Sequence, residues 1–522
     1  MKSLARALVA GVSVVAMTAP LFAQEALPQA DDSYFTAAQQ QLADLEATQP
    51  NTNKAKNIIL FVGDGLSVPT LTAARIWEGQ SKGVDGESNV LALERLLPYS
   101  ALSKTYTHDS QVADSAPTAT AMVTGVKSVN GTIGVDQTIK LEDCSTEAGA
   151  RVETLFEQAE KAGLATGVVS TARITHATPA ATYAHTAGRD WENDAKLPPE
   201  AAGTCKDIAA QLIDWEAGDG FEVVFGGGRE NFMLSSQADP EDPSDTGART
   251  ERDLIAEWQA AHNDGQYVWN KEQFDALNVA ETGRVLGLFN ASHMQYEADR
   301  ESDAGGEPSL AEMTTKAIAM LEKNEDGFVL MVEAGRIDHA HHAGNAARAL
   351  IDTVALSEAL EAAYGAVNPE ETLIVLTADH SHVFSIAGYP TRNNPILGIG
   401  GTADDGLPYT TLGYMNGPGA ATEEVAAATA GAEPGVKTTT RVDLSGVDTT
   451  DIDFLQPALI PLGSESHAGD DVPVFAQGPW AHLFHGVVEQ NIIYHVMAKA
   501  IGLDGSAASE DATSEAAAPA AK

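Results

Sequence analysis

From Asn57 onward the chain alternates short β-branched apolar runs with amphipathic helical stretches, and this alternation restricts it to a parallel sheet covered by helices on both faces. The predicted strands are residues 57–62, 165–170, 221–225, 284–289, 327–332, 372–377 and 472–476. Helical patterns occupy 151–163, 309–323, 346–364 and 486–501. With 522 residues, 43% of them hydrophobic, the chain can fill a large core. Two stretches break the alternation and read as insertions, 227–282 with its PEDPSD run and 389–463, rich in Gly, Thr, Asp and Ala. The fold class is therefore α/β, with a large, mostly parallel central sheet.

The polar residues of interest follow the ends of these strands. Asp64 follows the first, the stretch 171–178 the second, Glu333 the fifth and Asp379-His380 the sixth. Open α/β sheets bind ligands at the carboxyl ends of their strands, so residues hundreds of positions apart can meet there.

Residues 1–23 carry Lys2, Arg6, an apolar run and a Leu-Phe-Ala end, which reads as a secretory signal. No later run reaches the roughly 20 apolar residues a bilayer span needs, so an exported protein, periplasmic or secreted, is expected. Residues 24–55 form a leader with one short helix near 35–46, residues 56–505 one domain, and residues 506–522 a low-complexity tail. Cys144 and Cys205 are a lone pair, which in an exported chain suggests one disulfide, with a zinc site as the alternative. The balance of 31 Lys and Arg against 74 Asp and Glu, a formal charge of −43, argues against a nucleic-acid-binding surface or an anionic membrane. An anionic substrate would need local positive charge to compensate.

The stretch TYTHDSQVADSAPTATAMVTG, 105–125, places Ser115 at the start of a helix that Asp114 can cap and Pro117 tolerates. Backbone N–H groups and the helix dipole at that end favour an anion. Read alone, Asp114 and Ser115 are an ordinary cap. Of 14 histidines, however, eight fall in four short segments that also carry carboxylates or hydroxyls. Asp338 and His342, four apart in IDHAHH, share a helix face and suit zinc.

These segments, GDG (63–65), VADSAPTATA (112–121), THATPAATYAHTAGR (175–189), VEAGRIDHAHH (332–342), TADHSHVFSIAGYP (377–390) and SHAGDDVPVFAQGP (466–479), resemble in order and spacing those of alkaline phosphatases. They are more similar to the animal branch than to the short enterobacterial type. The resemblance spans about 55–503 and implies an alkaline-phosphatase-like fold that cleaves phosphate monoesters through a phosphoserine on Ser115. It implies two zinc ions and one magnesium. Asp338, His342 and His467 would hold one zinc; Asp64, Asp379, His380 and the Ser115 oxygen the second; Asp64, Thr178 and Glu333 the magnesium. Nitrogen-rich sets suit zinc and all-oxygen sets suit magnesium, so the ligand types agree with this assignment. The zincs would activate the Ser115 hydroxyl and offset the leaving oxygen, and Arg189 would clamp two phosphate oxygens.

The resemblance also implies a homodimer, with 389–463 similar to the crown-like insertion of such enzymes, and a disulfide at Cys144 and Cys205. His176 and His339 stand where the enterobacterial branch has Asp and Lys, which leaves open whether the third site takes magnesium or zinc. A calcium site of the animal branch would draw on Glu241, the Phe289 carbonyl and Glu307, with Asn290 where a Glu is expected. Rival readings are a phosphodiesterase or sulfatase of the same superfamily, or a non-catalytic acidic metal-binding exported protein. DSAPTA lacks the Cys and Arg a sulfatase would use, and Thr178, Glu333 and Arg189 together favour a monoesterase.

Overall fold

The computed structural model describes residues 27–201, 203–420 and 441–504. The expected signal and tail lie outside these residues. Up to Gln49 the chain forms a unit of its own, whose described part is a helix, Ser33–Ala47. Asp32 caps it by accepting from the Tyr34 and Phe35 N–H groups, and none of its side chains is buried.

In the larger unit the strands begin with β1 (Asn57–Gly63), β2 (Tyr99–Lys104), β3 (Ala165–Arg173), β4 (Val223–Gly227), β5 (Gly265–Val268), β6 (Arg284–Leu288), β7 (Phe328–Ala334) and β8 (Thr372–Ala378). They continue with β9 (Ser381–His382), β10 (Phe384–Ile386), β11 (Ile399–Thr402), β12 (Pro408–Thr410), β13 (Leu412–Gly417), β14 (Ala458–Pro461), β15 (His467–Ala468), β16 (Val472–Gln477) and β17 (Val487–Glu489). Ten of them form one sheet in the order β17-β2-β16-β8-β1-β7-β3-β4-β6-β5. Within it only β16 runs against its neighbours. β1 at the centre is buried along its whole length, and its side chains alternate between two cores. Ile59 and Phe61 join the helices Val68–Ser81, Leu310–Leu321 and Ala346–Ala366 on one face. Ile58, Leu60 and Val62 join Ser115–Thr124, Leu155–Lys161 and Ile492–Ile501 on the other. Burying each such side chain stabilises the fold by about 1.5–3 kcal/mol.

The first interruption is not separate from the sheet, since its strand β5 is the sheet's edge. The second carries the small sheet β11-β12, and its strands β13 and β14 join β10, which precedes it, in another. Three expectations need correction. The strand expected at 221–225 runs Val223–Gly227, because Gly226 and Gly227 pack without side chains against Ile174 and the His293 segment. Strand β2 and the edge strand β17 have no counterpart among the predicted strands, since their side chains are mixed in polarity and partly exposed. The helix expected over 486–501 begins only at Ile492, because Val487–Glu489 pair with Leu102–Lys104 as β17.

Candidate active site

Register assembles the site. Gly63 at the end of β1 lies level with Ala334 of β7 and Ala378 of β8, and Val62 with Glu333. Asp64 and Asp379 therefore emerge level with one another just past the ends of β1 and β8, and Glu333 stands two residues back on the adjacent β7. Gly65 sits at φ +69, and a Cβ there would meet His382 Nε2 at 2.3 Å. The last glycine of GDG is thus fixed both by backbone conformation and by the close approach of a site imidazole. Its N–H donates to Asp379 Oδ1 at 2.9 Å.

Ser115 is the first residue of a ten-residue, fully buried helix, Ser115–Thr124, capped by Asp114. The Asp114 carboxylate accepts from Ala116 N–H at 2.8 Å, which leaves Ser115 Oγ free to face the strand ends. Oγ lies 3.1 Å from His380 Nε2. That nitrogen is 3.2 Å from Asp379 Oδ2 and 3.4 Å from Asp64 Oδ1. Asp64, Asp379 and His380 are completely buried.

The polar atoms here lack donors. Both Asp64 oxygens, Asp379 Oδ2, Glu333 Oε1, Thr178 Oγ1 and His380 Nδ1 are buried without a hydrogen-bond partner. Burial, then the charges of Asp379, Asp338 and Glu333, push the Asp64 carboxyl well above the usual range. Burial likewise raises Asp379, and it lifts Glu333 to about 7 against the pull of the Ser170 hydroxyl, which donates to Glu333 Oε2. Buried acceptors left unpaired are costly, and divalent cations among them remove that cost. The donor set fits such ions.

A second cluster adjoins the first. His342 Nδ1–H donates to the Glu465 carbonyl at 2.5 Å and His467 Nδ1–H to the Ala113 carbonyl at 2.8 Å. Each ring therefore presents a bare Nε2, and these two nitrogens lie 3.0 Å apart. Asp338 Oδ1 stands 3.3 Å from the first and 3.4 Å from the second. Two lone pairs and a carboxylate converging in this way form a ligand set of the kind zinc prefers. Burial would raise the Asp338 carboxyl, but the hydrogen bond from His382 and the imidazoles of His467 and His342 beside it outweigh burial and hold Asp338 well below the usual range.

Arg189 completes the picture. Its Nη1 donates to Asp114 Oδ1 at 2.5 Å and its Nη2 to His176 Nε2 at 3.0 Å, beside the start of the Ser115 helix. His339, next to Asp338, packs edge-on to His176 with ring centroids 5.5 Å apart.

Several site residues were passed over in the sequence. His382 bridges Asp338 Oδ1 at 2.8 Å and Glu465 Oε2 at 2.5 Å. Burial opposes its protonation, yet the two carboxylates raise it to about 9. The pairing of His467 in β15 with His382 in β9 was the missing signal, a long-range contact that local pattern does not contain. Outside the two ligand clusters, His293 lies against His176 and His339 in a three-imidazole group. Of the expected calcium residues, Asn290 Nδ2 donates to Glu307 Oε1 at 3.0 Å, and the Phe289 ring packs on Phe225 and Phe274. Glu241 accepts from Gly305 N–H at 3.3 Å and from Arg229 Nη2 at 3.0 Å. Asp303 was not anticipated; burial and the charge of Glu241 push it up to about 6, and burial lifts Glu307 to about 8.

Sheet and site together define a class, open α/β proteins that hold divalent cations beside a serine at a helix start. The alkaline phosphatase family profile matches residues 55–503. The chain belongs to the alkaline phosphatase family. It is 44% identical over 474 residues to the tissue-nonspecific alkaline phosphatase of Gallus gallus, covering 89% of this chain and 88% of that protein. It is 42% identical over 459 residues to the alkaline phosphatase of Gadus morhua, covering 86% and 92%. Among solved structures it resembles the Thermus thermophilus alkaline phosphatase, with a TM-score of 0.59, 27% identity and coverage of 88% and 94%. The alkaline phosphatase of the Antarctic bacterium TAB5, 22% identical with a TM-score of 0.57 over 86% and 99%, shares the fold. Cys144 and Cys205 form a disulfide, and among the described residues no helix is long and apolar enough to cross a membrane.

Proposed function

We propose that this protein is an alkaline phosphatase that hydrolyses phosphate monoesters through a phosphoserine at Ser115. The supporting observation is the row of unpartnered buried acceptors on Asp64, Glu333 and Asp379 facing the Ser115 hydroxyl. Ser115 Oγ attacks phosphorus, the alcohol leaves, and water then cleaves the phosphoserine. Arg189 orients the phosphoryl group by donating to two of its oxygens, while Asp114 holds the guanidinium in place. The start of the Ser115–Thr124 helix adds N–H donors and a favourable dipole.

Asp338, His342 and His467 would hold one zinc, and Asp64, Asp379, His380 and Ser115 the other. Asp64, Thr178 and Glu333 would hold magnesium, all through oxygen as that ion requires. When bound, these cations supply Lewis-acid charge that favours an ionised serine and stabilises the leaving oxygen. A calcium ion at Glu241, the Phe289 carbonyl and Glu307 is a further part of this reading, and the Asp303 carboxyl beside Glu241 would stand in for the one absent at Asn290.

The working form is an exported protein, periplasmic or secreted, with 1–23 removed, 56–505 as one domain and 506–522 as a tail. The disulfide supports export. A homodimer through the crown-like insertion is supported by exposed Tyr389, Met415, Leu459, Ile460 and Leu462.

The test is hydrolysis of p-nitrophenyl phosphate beside the bis-ester, with metal content, for wild type and Ser115→Ala. Faster mono-ester turnover, lost in the variant while the metals stay, is expected. Preference for the bis-ester would make the protein a phosphodiesterase, and metal without turnover would make it a binding protein.

A further inference from the structure

The group formed by His176, His293 and His339 has the opposite chemistry to the metal clusters beside it. Its three imidazoles are only partly buried and are surrounded by guanidiniums. Arg189 Nη2 stands 3.0 Å from His176 Nε2, Arg336 Nη1 3.2 Å from His339 Nδ1, and Arg173 Nη1 2.5 Å from His293 Nε2. Arginine only donates, and a neutral imidazole has one acceptor. The acceptors of all three rings are therefore taken.

What remains is an excess of N–H groups. His176 must carry its proton on Nδ1, which is buried without a partner. His293 Nδ1 faces the Arg173 backbone N–H at 3.2 Å, so one donor there points at another. Arg336 Nε–H is also buried and unpartnered. Protonating any ring only adds a donor, so the imbalance holds in every protonation state. Arg173 and Arg189 are paired with Glu192 and Asp114. Among the described residues Arg336 forms no ion pair; its guanidinium lies 3.8 Å over the Tyr296 ring. Asp352 and Asp338 act on this group through space but neither forms an ion pair with Arg336, so in a chain of net charge −43 the surplus donors make it a local anion site and disfavour a metal ion there.

We propose that this cluster is an anion subsite that takes a second phosphate, either on the substrate or free in solution, next to the phosphoryl group held by Arg189. This rests on the phosphatase reading given above. Substrates bearing two phosphate groups on a short flexible spacer would place one at Ser115 and the other against Arg336, His293 and His176. The gain falls on KM, because the second group binds equally before and during the reaction.

The test compares bisphosphates of propanediol, butanediol and hexanediol with the matching alkyl monophosphates, using the metal-loaded enzyme, Arg336→Met and His293→Ala. Wild type is expected to favour at least one bisphosphate by about tenfold in kcat/KM, as one charge-assisted contact provides. Both variants should lose that preference through KM while turning over the monophosphates within about twofold of wild type. Calorimetry with inorganic phosphate on Ser115→Ala distinguishes the source of the anion. A second phosphate equivalent that vanishes with Arg336→Met, without any bisphosphate preference, assigns the site to free phosphate. Equal kcat/KM for both substrate types together with one phosphate equivalent overturns the proposal. Absent monophosphate turnover would overturn the phosphatase reading instead, and the phosphate stoichiometry would still judge the subsite.

Discussion

Buried carboxylates occupy both ends of the central sheet, and the two ends treat them differently. At the amino ends, Glu160 accepts from the Thr166 hydroxyl at 2.6 Å and from the Asp219 and Gly220 N–H groups, each at 3.2 Å. Its neighbour Glu222 accepts from Thr166 N–H at 2.8 Å and lies 3.6 Å from Arg284. At the carboxyl ends, Asp64, Glu333 and Asp379 keep oxygens without any donor. The first arrangement is complete in protein alone. The second is unfavourable unless a cation is supplied, so stability and activity should depend on metal at one end of the molecule only.

The largest effect should come from breaking the contrast at the carboxyl ends. Chelation should abolish phosphatase activity and lower the melting temperature, with zinc plus magnesium restoring both, measured by turnover and calorimetry on one sample. Ser115→Ala should lower kcat by about 10³-fold or more while the metals stay bound, because it removes the nucleophile and one ligand oxygen but spares Asp64, Asp379 and His380. Glu333→Gln should weaken magnesium binding by about 10–100-fold, read by titrating the chelated protein.

A smaller effect sharpens the comparison by reversing sign. In chelated protein, Asp64→Asn should raise stability by roughly 1–3 kcal/mol, since it removes a carboxyl whose ionisation is opposed by burial and acidic neighbours. In metal-loaded protein the same change should destabilise. Equal effects in both states would show that the carboxylate is satisfied without metal.

The smallest effect concerns the amino ends. Burial lifts Glu160 to about 7 from an ordinary value of 4.5. A raised carboxyl favours the folded state fully below the unfolded value, and that contribution is lost as pH climbs through the folded value. The wild-type melting temperature should therefore decline between about pH 4.5 and 7, and Glu160→Gln should flatten part of that decline. The variant should not alter metal binding. A slope unchanged by Glu160→Gln would show that other groups carry it.

Much of this was legible in the chain because the site stands where strands stop. The apolar runs ending before Asp64, Glu333 and Asp379 place those residues without knowledge of the helices. The strand order was not legible, since pairing of β16 between β2 and β8 joins segments far apart in sequence. His382 and Glu465 escaped for the same reason, being functional only through a contact across 83 positions. Asp303 was hidden in a loop with no periodicity. His293 gave no local signal, as its meaning lies in the arginines around it.

The sheet register also sets a length scale. Asp64, Glu333 and Asp379 hang from neighbouring backbones, and strands in a sheet lie about 4.8 Å apart whatever their side chains. The spacing of the carboxylates that would hold cations is therefore ruled by main-chain hydrogen bonding. Substitution can empty a position on that ruler but cannot slide it, so variation here would change which ions are held and how tightly, while the distance between the holding carboxylates stays constant.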